Sequence, residues 1–98
     1  MSKILILWEM NPGRIPEDPA KQAAVYGKLA EITKKALDSG KVKDWGIFAG
    51  GSAGYSIADE TSADTLTRAL QFAPYVKLQV HPVLSIVEVM KIMQSMPK

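Results

Sequence analysis

Cysteine is absent from this sequence, and histidine occurs once, as His81. Without a thiol the chain has no disulfide framework, no thiolate zinc site and no cysteine nucleophile. A single histidine without cysteine also cannot complete a usual structural zinc site. We therefore expect neither a structural metal nor a resident cofactor.

Long apolar runs are also missing. No stretch approaches the roughly 18 residues needed to span a membrane. The run "ILILW" after Lys3 is too short for a signal-peptide core, and no small-residue cleavage site follows it. The length of 98 residues and the net charge of +2 are typical of one ordinary globular domain. We expect a single domain over residues 1–98 in a soluble, cytoplasmic protein with no membrane partner.

The residue pattern predicts four strands and three helices. Each helix has an N-cap signal: Asp18 before Pro19, Thr61 three residues before Asp64, and Ser85 three residues before Glu88. Gly40 and Pro74 stand where the first two helices are expected to end. The strands are predicted at 4–9, 44–49, 54–60 and 75–82.

The order β-α-β-β-α-β with a short terminal helix predicts a ferredoxin-like α+β fold with a four-stranded antiparallel sheet. In that topology the first and third strands are central and the fourth lies at an edge. Strand 4–9 is apolar on both faces, whereas two helices can cover only one face. An uncovered apolar sheet is an association surface, so we expect a homodimer packed sheet to sheet.

The stretch "GGSAG" at residues 50–54 has the Gly-x-Ser-x-Gly spacing of a hydrolase nucleophile. A nucleophile elbow requires a strand that feeds the serine directly into a helix. Here the five residues join two predicted strands, where glycines supply positive φ for a hairpin. Ser52 is therefore interpreted as a turn residue, and a phosphate-binding loop is disfavoured for the same reason.

RNA-recognition domains share this topology, so nucleic-acid binding is an alternative function for this fold. Their third strand carries a basic residue, a glycine and two aromatic residues that stack bases. In residues 53–57 only Gly54 and Tyr55 match, because the basic residue and the second aromatic are missing. We expect no nucleic-acid partner.

The chemistry-bearing candidates are few. Glu9 lies at the end of a central strand, where a carboxylate partly removed from water would accept a proton readily. Asp59 and Glu60 end the neighbouring strand, which suggests that carboxylates gather at one end of the sheet. The alternative is a structural role for Glu9, in which it bonds to the loop that follows or pairs with Arg14. His81 is either a general base, an axial haem ligand or an ordinary strand-end residue.

Residues 54–83 read "GYSIADETSADTLTRALQFAPYVKLQVHPV". Their frame is Gly/Ala-Tyr-x-Ile-x-Asp/Glu-x-x-Ser-x-x-x-Leu, followed by Pro-Tyr-x-x-x-x-Val-x-Pro. This frame resembles the dimeric α+β barrel superfamily, and within it the muconolactone isomerase family with its small uncharacterised relatives. The resemblance covers about a third of the chain, and its matching positions are structural ones.

The resemblance implies a ferredoxin-like protomer in a homodimer or a multiple of dimers, with a small organic ligand in a cleft. The working hypothesis is a cofactor-free isomerase acting by proton shift on a small lactone or organic acid. In this scheme Glu9, Asp59 or His81 takes the proton, and Tyr55 or Lys77 stabilises the developing enolate oxygen. Two alternatives stay open: a non-catalytic ligand-binding or accessory domain, and a haem-binding relative.

Overall fold

The computed structural model describes residues 2–97. It consists of four strands and three α-helices, with a 3-10 turn at Pro12–Arg14 after the first strand. The bounds are β1 Ser2–Met10, α1 Pro19–Asp38, β2 Val42–Ile47, β3 Ala53–Glu60, α2 Ser62–Phe72, β4 Val76–Pro82 and α3 Ile86–Ser95.

The four strands form one antiparallel sheet in the order β2-β3-β1-β4. The predicted ferredoxin-like α+β fold is confirmed, with β1 and β3 in the centre and β4 at an edge. β2 begins two residues before the predicted start, because a bulge between Val42 and Asp44 extends its pairing with β3.

The predicted caps stabilise all three helices. Asp18 accepts a hydrogen bond from the Ala20 amide at 3.1 Å, and Thr61 accepts one from the Asp64 amide at 3.1 Å. Ser85 and Glu88 form the complete reciprocal capping box. Local side-chain chemistry therefore fixes where each helix begins.

The sheet has two different faces. The helix face lies beneath α1 and α2 and carries Ile4, Ile6 and Trp8 of β1. The open face carries Leu5, Leu7 and Glu9, because successive strand residues point to opposite sides. The buried core lies on the helix face and consists of Ile4, Ile6, Val42 and Ala58, with Ala36 and Leu78 packed against it.

The orientation of α2 differs from the pattern-based expectation. Apolar spacing favours a buried stripe that contains Leu66 and Leu70, yet these side chains are 61% and 68% exposed. The buried face of α2 instead carries Thr65 and Arg68. Arg68 points inward because it pairs with Glu60, a residue of the buried helix face.

The C-terminal helix α3 makes little contact with the other elements of the described chain. Most of its apolar side chains are exposed, and the described chain is correspondingly elongated, with a longest dimension of 62 Å. The exposed apolar residues of α3 and its flanks are Leu84, Ile86, Val87, Met90, Ile92, Met93 and Met96. No helix within residues 2–97 has both the length and the apolar character to cross a membrane.

Candidate functional site

A cleft of about 630 Å³ lies between the two covering helices and the helix face of the sheet. α1 buries little of its own surface beside the cleft: Leu29 is the only buried residue of this helix in the described chain. Its volume falls within the range of about 300–1,000 Å³ typical of small-molecule sites. Its lining is mostly apolar and includes Ile6, Met10, Leu29, Leu37, Phe72, Val76 and Leu78.

Two tryptophans form an aromatic wall of the cleft. The rings of Trp8 and Trp45 are stacked with centroids 5.5 Å apart and planes 8° from parallel. Gly54, directly opposite Trp8 on β3, allows this arrangement. A Cβ at position 54 would lie 2.6 Å from Trp8 Cε2 and would also overlap the carbonyl oxygen of Gly46. The absence of a side chain at Gly54 therefore leaves room for the indole of Trp8 to lie flat against the sheet.

A buried ion pair lies beside the cleft. Arg68 of α2 lines the cleft and is 8% exposed, and its Nη2 contacts Oε1 of Glu60, which is 0% exposed. Burial lowers the pKa of the Arg68 guanidinium, because desolvation disfavours its charged form. Arginine nevertheless stays protonated, so the pair is one of opposite charges.

One buried donor of the cleft, Trp8 Nε1, lacks a hydrogen bond within the described chain. It lies away from the ion pair, because Trp8 is paired with Gly54 whereas Glu60 lies six residues further along β3. Unpaired buried donors are costly in proteins, and donors beside a cleft are suited to a ligand.

Comparison with known proteins places the chain in a family. A family described as a domain of unknown function, DUF3303, matches residues 5–97. This chain belongs to the DUF3303 family. No curated protein matches the sequence.

The DUF3303 chain is similar in structure to muconolactone isomerase, whose crystal structure matches with a TM-score of 0.66 and 24% sequence identity. The match covers 85% of this chain and 88% of that chain. This DUF3303 chain therefore shares the α+β fold of muconolactone isomerase, as the sequence resemblance implies.

The five side chains singled out from the sequence all lie on the open face in this DUF3303 chain, opposite the cleft. The alternation along β1, β3 and β4 puts them there, and none of them lines the cleft. Glu9, Lys77 and His81 are exposed, whereas Tyr55 and Asp59 are half-buried. The residues in question are Glu9, Tyr55, Asp59, Lys77 and His81.

The interpretation that carboxylates gather at one end of the sheet is wrong. β1 and β3 are antiparallel, so Asp59 pairs with Lys3 whereas Glu9 pairs with Ala53. Six residues along β1 separate these positions by about 20 Å. Glu9 instead lies directly across from Lys77 on β4, and it is exposed rather than partly removed from water.

The turn interpretation of residues 50–54 is confirmed. Gly51 has φ of +85°, and the chain passes from β2 to β3 without a helix. The carbonyl oxygen of Ser52 accepts a hydrogen bond from the Met10 amide at 2.8 Å. His81 pairs with Leu5, five residues from Met10, so Ser52 and His81 are about 17 Å apart along the sheet. No hydrolase triad forms around Ser52.

The sequence reasoning names Glu60 only as a carboxylate at the end of β3 and misses its pairing with Arg68, although a signal for that pairing is present. Glu60 continues the alternation of Ser56 and Ala58 and therefore shares the buried face of β3. Arg68 is the only basic residue between Lys43 and Lys77. A buried carboxylate with one basic residue on the next helix predicts an ion pair.

A further polar contact lies on the open face, where the hydroxyl of Tyr55 donates a hydrogen bond to Asp44 Oδ2 at 2.8 Å. This bond to the carboxylate is the main cause of a pKa for Tyr55 above the ordinary 10.0, and desolvation adds to it. Because the folded-state pKa is raised, the stability from this bond is fully present below pH 10 and is lost as pH rises through the folded-state pKa.

Asp44→Asn is therefore expected to lower the pKa of Tyr55 towards its ordinary value. Absorbance at 295 nm, followed from pH 8 to 12, measures ionisation of the phenol. The part of the absorbance change that occurs at the highest pH in the native protein should move to lower pH in Asp44→Asn and vanish in Tyr55→Phe. An unchanged late component in Asp44→Asn would contradict the assignment.

Proposed function

We propose that this protein binds one small, largely apolar organic molecule with a ring system in the cleft between the helices and the sheet. The stacked Trp8–Trp45 wall carries this proposal, because a flat aromatic surface in a mostly apolar cleft is suited to a ring. The volume of about 630 Å³ supports a ligand of small-molecule size.

Intrinsic fluorescence offers a direct test, since the chain has only two tryptophans and both line the cleft. Indane, an uncharged bicyclic hydrocarbon, is a suitable probe. Titration of the full chain with excitation at 295 nm should give a saturable change with one site per protomer. Absence of saturable binding of indane would contradict the proposal.

Two matched variants of α1 locate the site. Ala30 lines the cleft and is exposed enough to accept a larger side chain, whereas Ala24 lies on the same helix away from the cleft. Ala30→Phe is expected to weaken indane binding by about tenfold, which corresponds to roughly 1.4 kcal/mol. Ala24→Phe should bind like the native protein, and equal weakening in both variants would place the probe elsewhere.

The isomerase hypothesis is the second candidate function. Muconolactone isomerase is one of the solved structures that share the fold of this chain. Within the described chain the ionisable residues that line the cleft are Tyr26, Lys34 and Arg68, none of which is a carboxylate or an imidazole. A proton shift by Glu9, Asp59 or His81 would have to occur at the open face instead. The adjacency of Glu9 and Lys77 across β1 and β4 is the observation that favours it.

Muconolactone itself serves as the probe that separates the two candidates. Ligand binding without chemistry predicts no isomerisation of muconolactone above the uncatalysed rate. The open-face scheme instead predicts isomerisation that is lost in Glu9→Gln or His81→Ala. Variants of Tyr55 and Lys77 should reduce the rate to a lesser degree.

We also propose that two copies pack through their open faces. Leu5, Leu7, Tyr55 and Ile57 form an apolar band across β1 and β3 that the helices of the described protomer leave largely uncovered. α3 approaches only the Ile57 end, through Glu88. Contiguous apolar surface of this kind marks an interface. Charged residues at the edge strand, Lys77 and His81, would form its rim.

Light scattering on a size-exclusion column measures the mass in solution, and we expect a dimer or a multiple of it. Leu7→Lys should shift the mass to that of a protomer. Leu70→Lys is the matched control, because Leu70 is an exposed leucine on α2, away from the open face. A protomer mass for the native chain, or the same shift in both variants, would contradict packing through the open face.

A further inference from the structure

Two exposed apolar patches border the open face, one at each end of the sheet. At one end Phe48, which directly follows β2, is 50% exposed, and its ring stacks on Tyr55 of the open face with centroids 6.5 Å apart. At the other end α3 begins, and its Glu88 lines a pocket with Asp59. The Phe48 amide donates to the carbonyl oxygen of Ala53, six residues before Asp59, so about 20 Å of strand separates the two patches.

α3 crosses its end of the sheet from β4 towards β2. The Val83 amide, just after β4, donates to the carbonyl oxygen of Lys3 at 2.9 Å, and Glu88 lines one pocket with Lys43 of β2. β2 is an edge strand, so α3 projects beyond the sheet, in line with the elongated shape of the described chain. Its apolar stripe, at helical spacing and more than half exposed, consists of Ile86, Met90 and Met93.

The direction of a two-fold axis decides which parts of two open faces meet. Two identical sheets that pack face to face are related by an axis that lies between them. If the axis crosses the strands, each end of one sheet lies over the opposite end of the other, and β2 lies over β2. If the axis runs along the strands, like ends meet, and β2 of one copy lies over β4 of the other.

The apolar residues favour the axis that crosses the strands. This axis brings α3 of one copy, which lies beside β2 at one end of the sheet, over the other end of the partner's β2, where Phe48 is exposed. An axis along the strands would bring α3 over the partner's β4 instead. The open-face side chains of β4 are polar and would leave the apolar stripe uncovered; they are Lys77, Gln79 and His81.

The charged residues of β1 favour the same axis. Lys3 and Glu9 are both exposed on the open face, three residues to either side of Ile6 at the middle of the strand. An axis that crosses the strands at Ile6 therefore brings Lys3 of each copy over the partner's Glu9. Opposite charges that meet across an interface fix its register.

We propose that α3 of each copy packs on the partner's Phe48, so that the dimer contains two identical contacts between a helix and a hairpin. This inference rests on the proposed packing through the open faces and adds which segments meet and which way the axis runs. Methionine suits such a contact, because its flexible thioether packs favourably against an aromatic ring. Each contact covers apolar side chains that a separate protomer leaves in water.

Cross-linking tests the contact directly, because the chain has no cysteine of its own. Ala49 follows Phe48 and Gln94 follows Met93, and both are exposed, so cysteines at these two positions leave the apolar side chains in place. The full chain with Ala49→Cys and Gln94→Cys is treated with bismaleimidoethane, whose short spacer tolerates an offset of about one helical turn. Denaturing electrophoresis should shift the band from the 10.7 kDa of the protomer to twice that mass.

Three controls should stay at the protomer mass. Ala49→Cys alone and Gln94→Cys alone place the two thiols at like ends of the two copies, which lie apart in this arrangement. Leu70→Cys with Gln94→Cys is the matched pair, because Leu70 is an exposed residue of α2, away from the open face.

The outcomes separate this inference from the packing on which it rests. A native chain with the mass of a dimer that gives no cross-link between positions 49 and 94 overturns the α3 contact, while packing through the open faces stands. A covalent dimer in Gln94→Cys alone would mean that the two α3 helices meet each other, and it also overturns the contact. A native chain with the mass of a protomer overturns both proposals.

Discussion

Arg68→Met is expected to lower the free energy of unfolding by about 3–5 kcal/mol, since loss of one partner leaves the other as an uncompensated buried charge. Glu60 is 0% exposed, so water cannot take the place of the guanidinium without local opening. Urea denaturation followed by circular dichroism measures this loss. A loss of that size is a large fraction of the stability of a domain, which is typically about 5–15 kcal/mol.

The double variant Glu60→Leu with Arg68→Met is the control for the single substitution. Replacement of a buried ion pair by apolar residues of similar volume is often neutral or stabilising. The double variant should therefore recover most of the stability lost in Arg68→Met. If Arg68→Met alone were nearly neutral, the carboxylate of Glu60 would have to be in contact with water, and the buried pair would be refuted.

Gly54→Ala is expected to have the second-largest effect, a destabilisation of about 1–3 kcal/mol from overpacking. The added Cβ would overlap the indole of Trp8 and the backbone oxygen of Gly46, and a backbone atom cannot move aside as a side chain does. Trp8 would be displaced from Trp45, so the tryptophan fluorescence should change along with the denaturation midpoint.

Gly50→Ala is the matched control for this glycine. Gly50 lies in the same β2–β3 turn, its φ is not positive, and a Cβ there has no heavy atom within 4 Å. The free energy of unfolding of Gly50→Ala should stay within about 1 kcal/mol of the native value, since an unstrained Gly→Ala change acts mainly on the unfolded chain. Equal effects at positions 50 and 54 would contradict the role of Gly54 in seating the indole.

The parts of the fold that depend on short-range chemistry could be predicted from the sequence. The caps at Asp18, Thr61 and Ser85 form as expected, and the alternation of β4 correctly separates Lys77 and His81 from Leu78. Each of these features depends on residues that are close together in the sequence. The local sequence pattern is therefore enough to predict the cap or the alternation.

The site was harder to predict because it depends on how elements are oriented relative to one another. The apolar spacing of α2 does not reveal that Arg68, rather than Leu66 or Leu70, turns towards the sheet. The cleft itself depends on how α1 and α2 pack over the sheet, which no local pattern encodes. The separation of Glu9 from Asp59 could have been predicted from the sequence. Neighbouring antiparallel strands run in opposite directions, so their last residues lie at opposite ends of the sheet.

The exposed apolar face of α3 has a consequence for the folding of the C-terminal part of the chain. A ten-residue helix is marginal in water on its own, and the Ser85–Glu88 capping box contributes only about 1 kcal/mol to it. The helix–coil equilibrium of α3 therefore depends on whether its methionines and isoleucines are covered. Because they are exposed in the described protomer, this segment is expected to exchange its amide hydrogens faster than the central sheet.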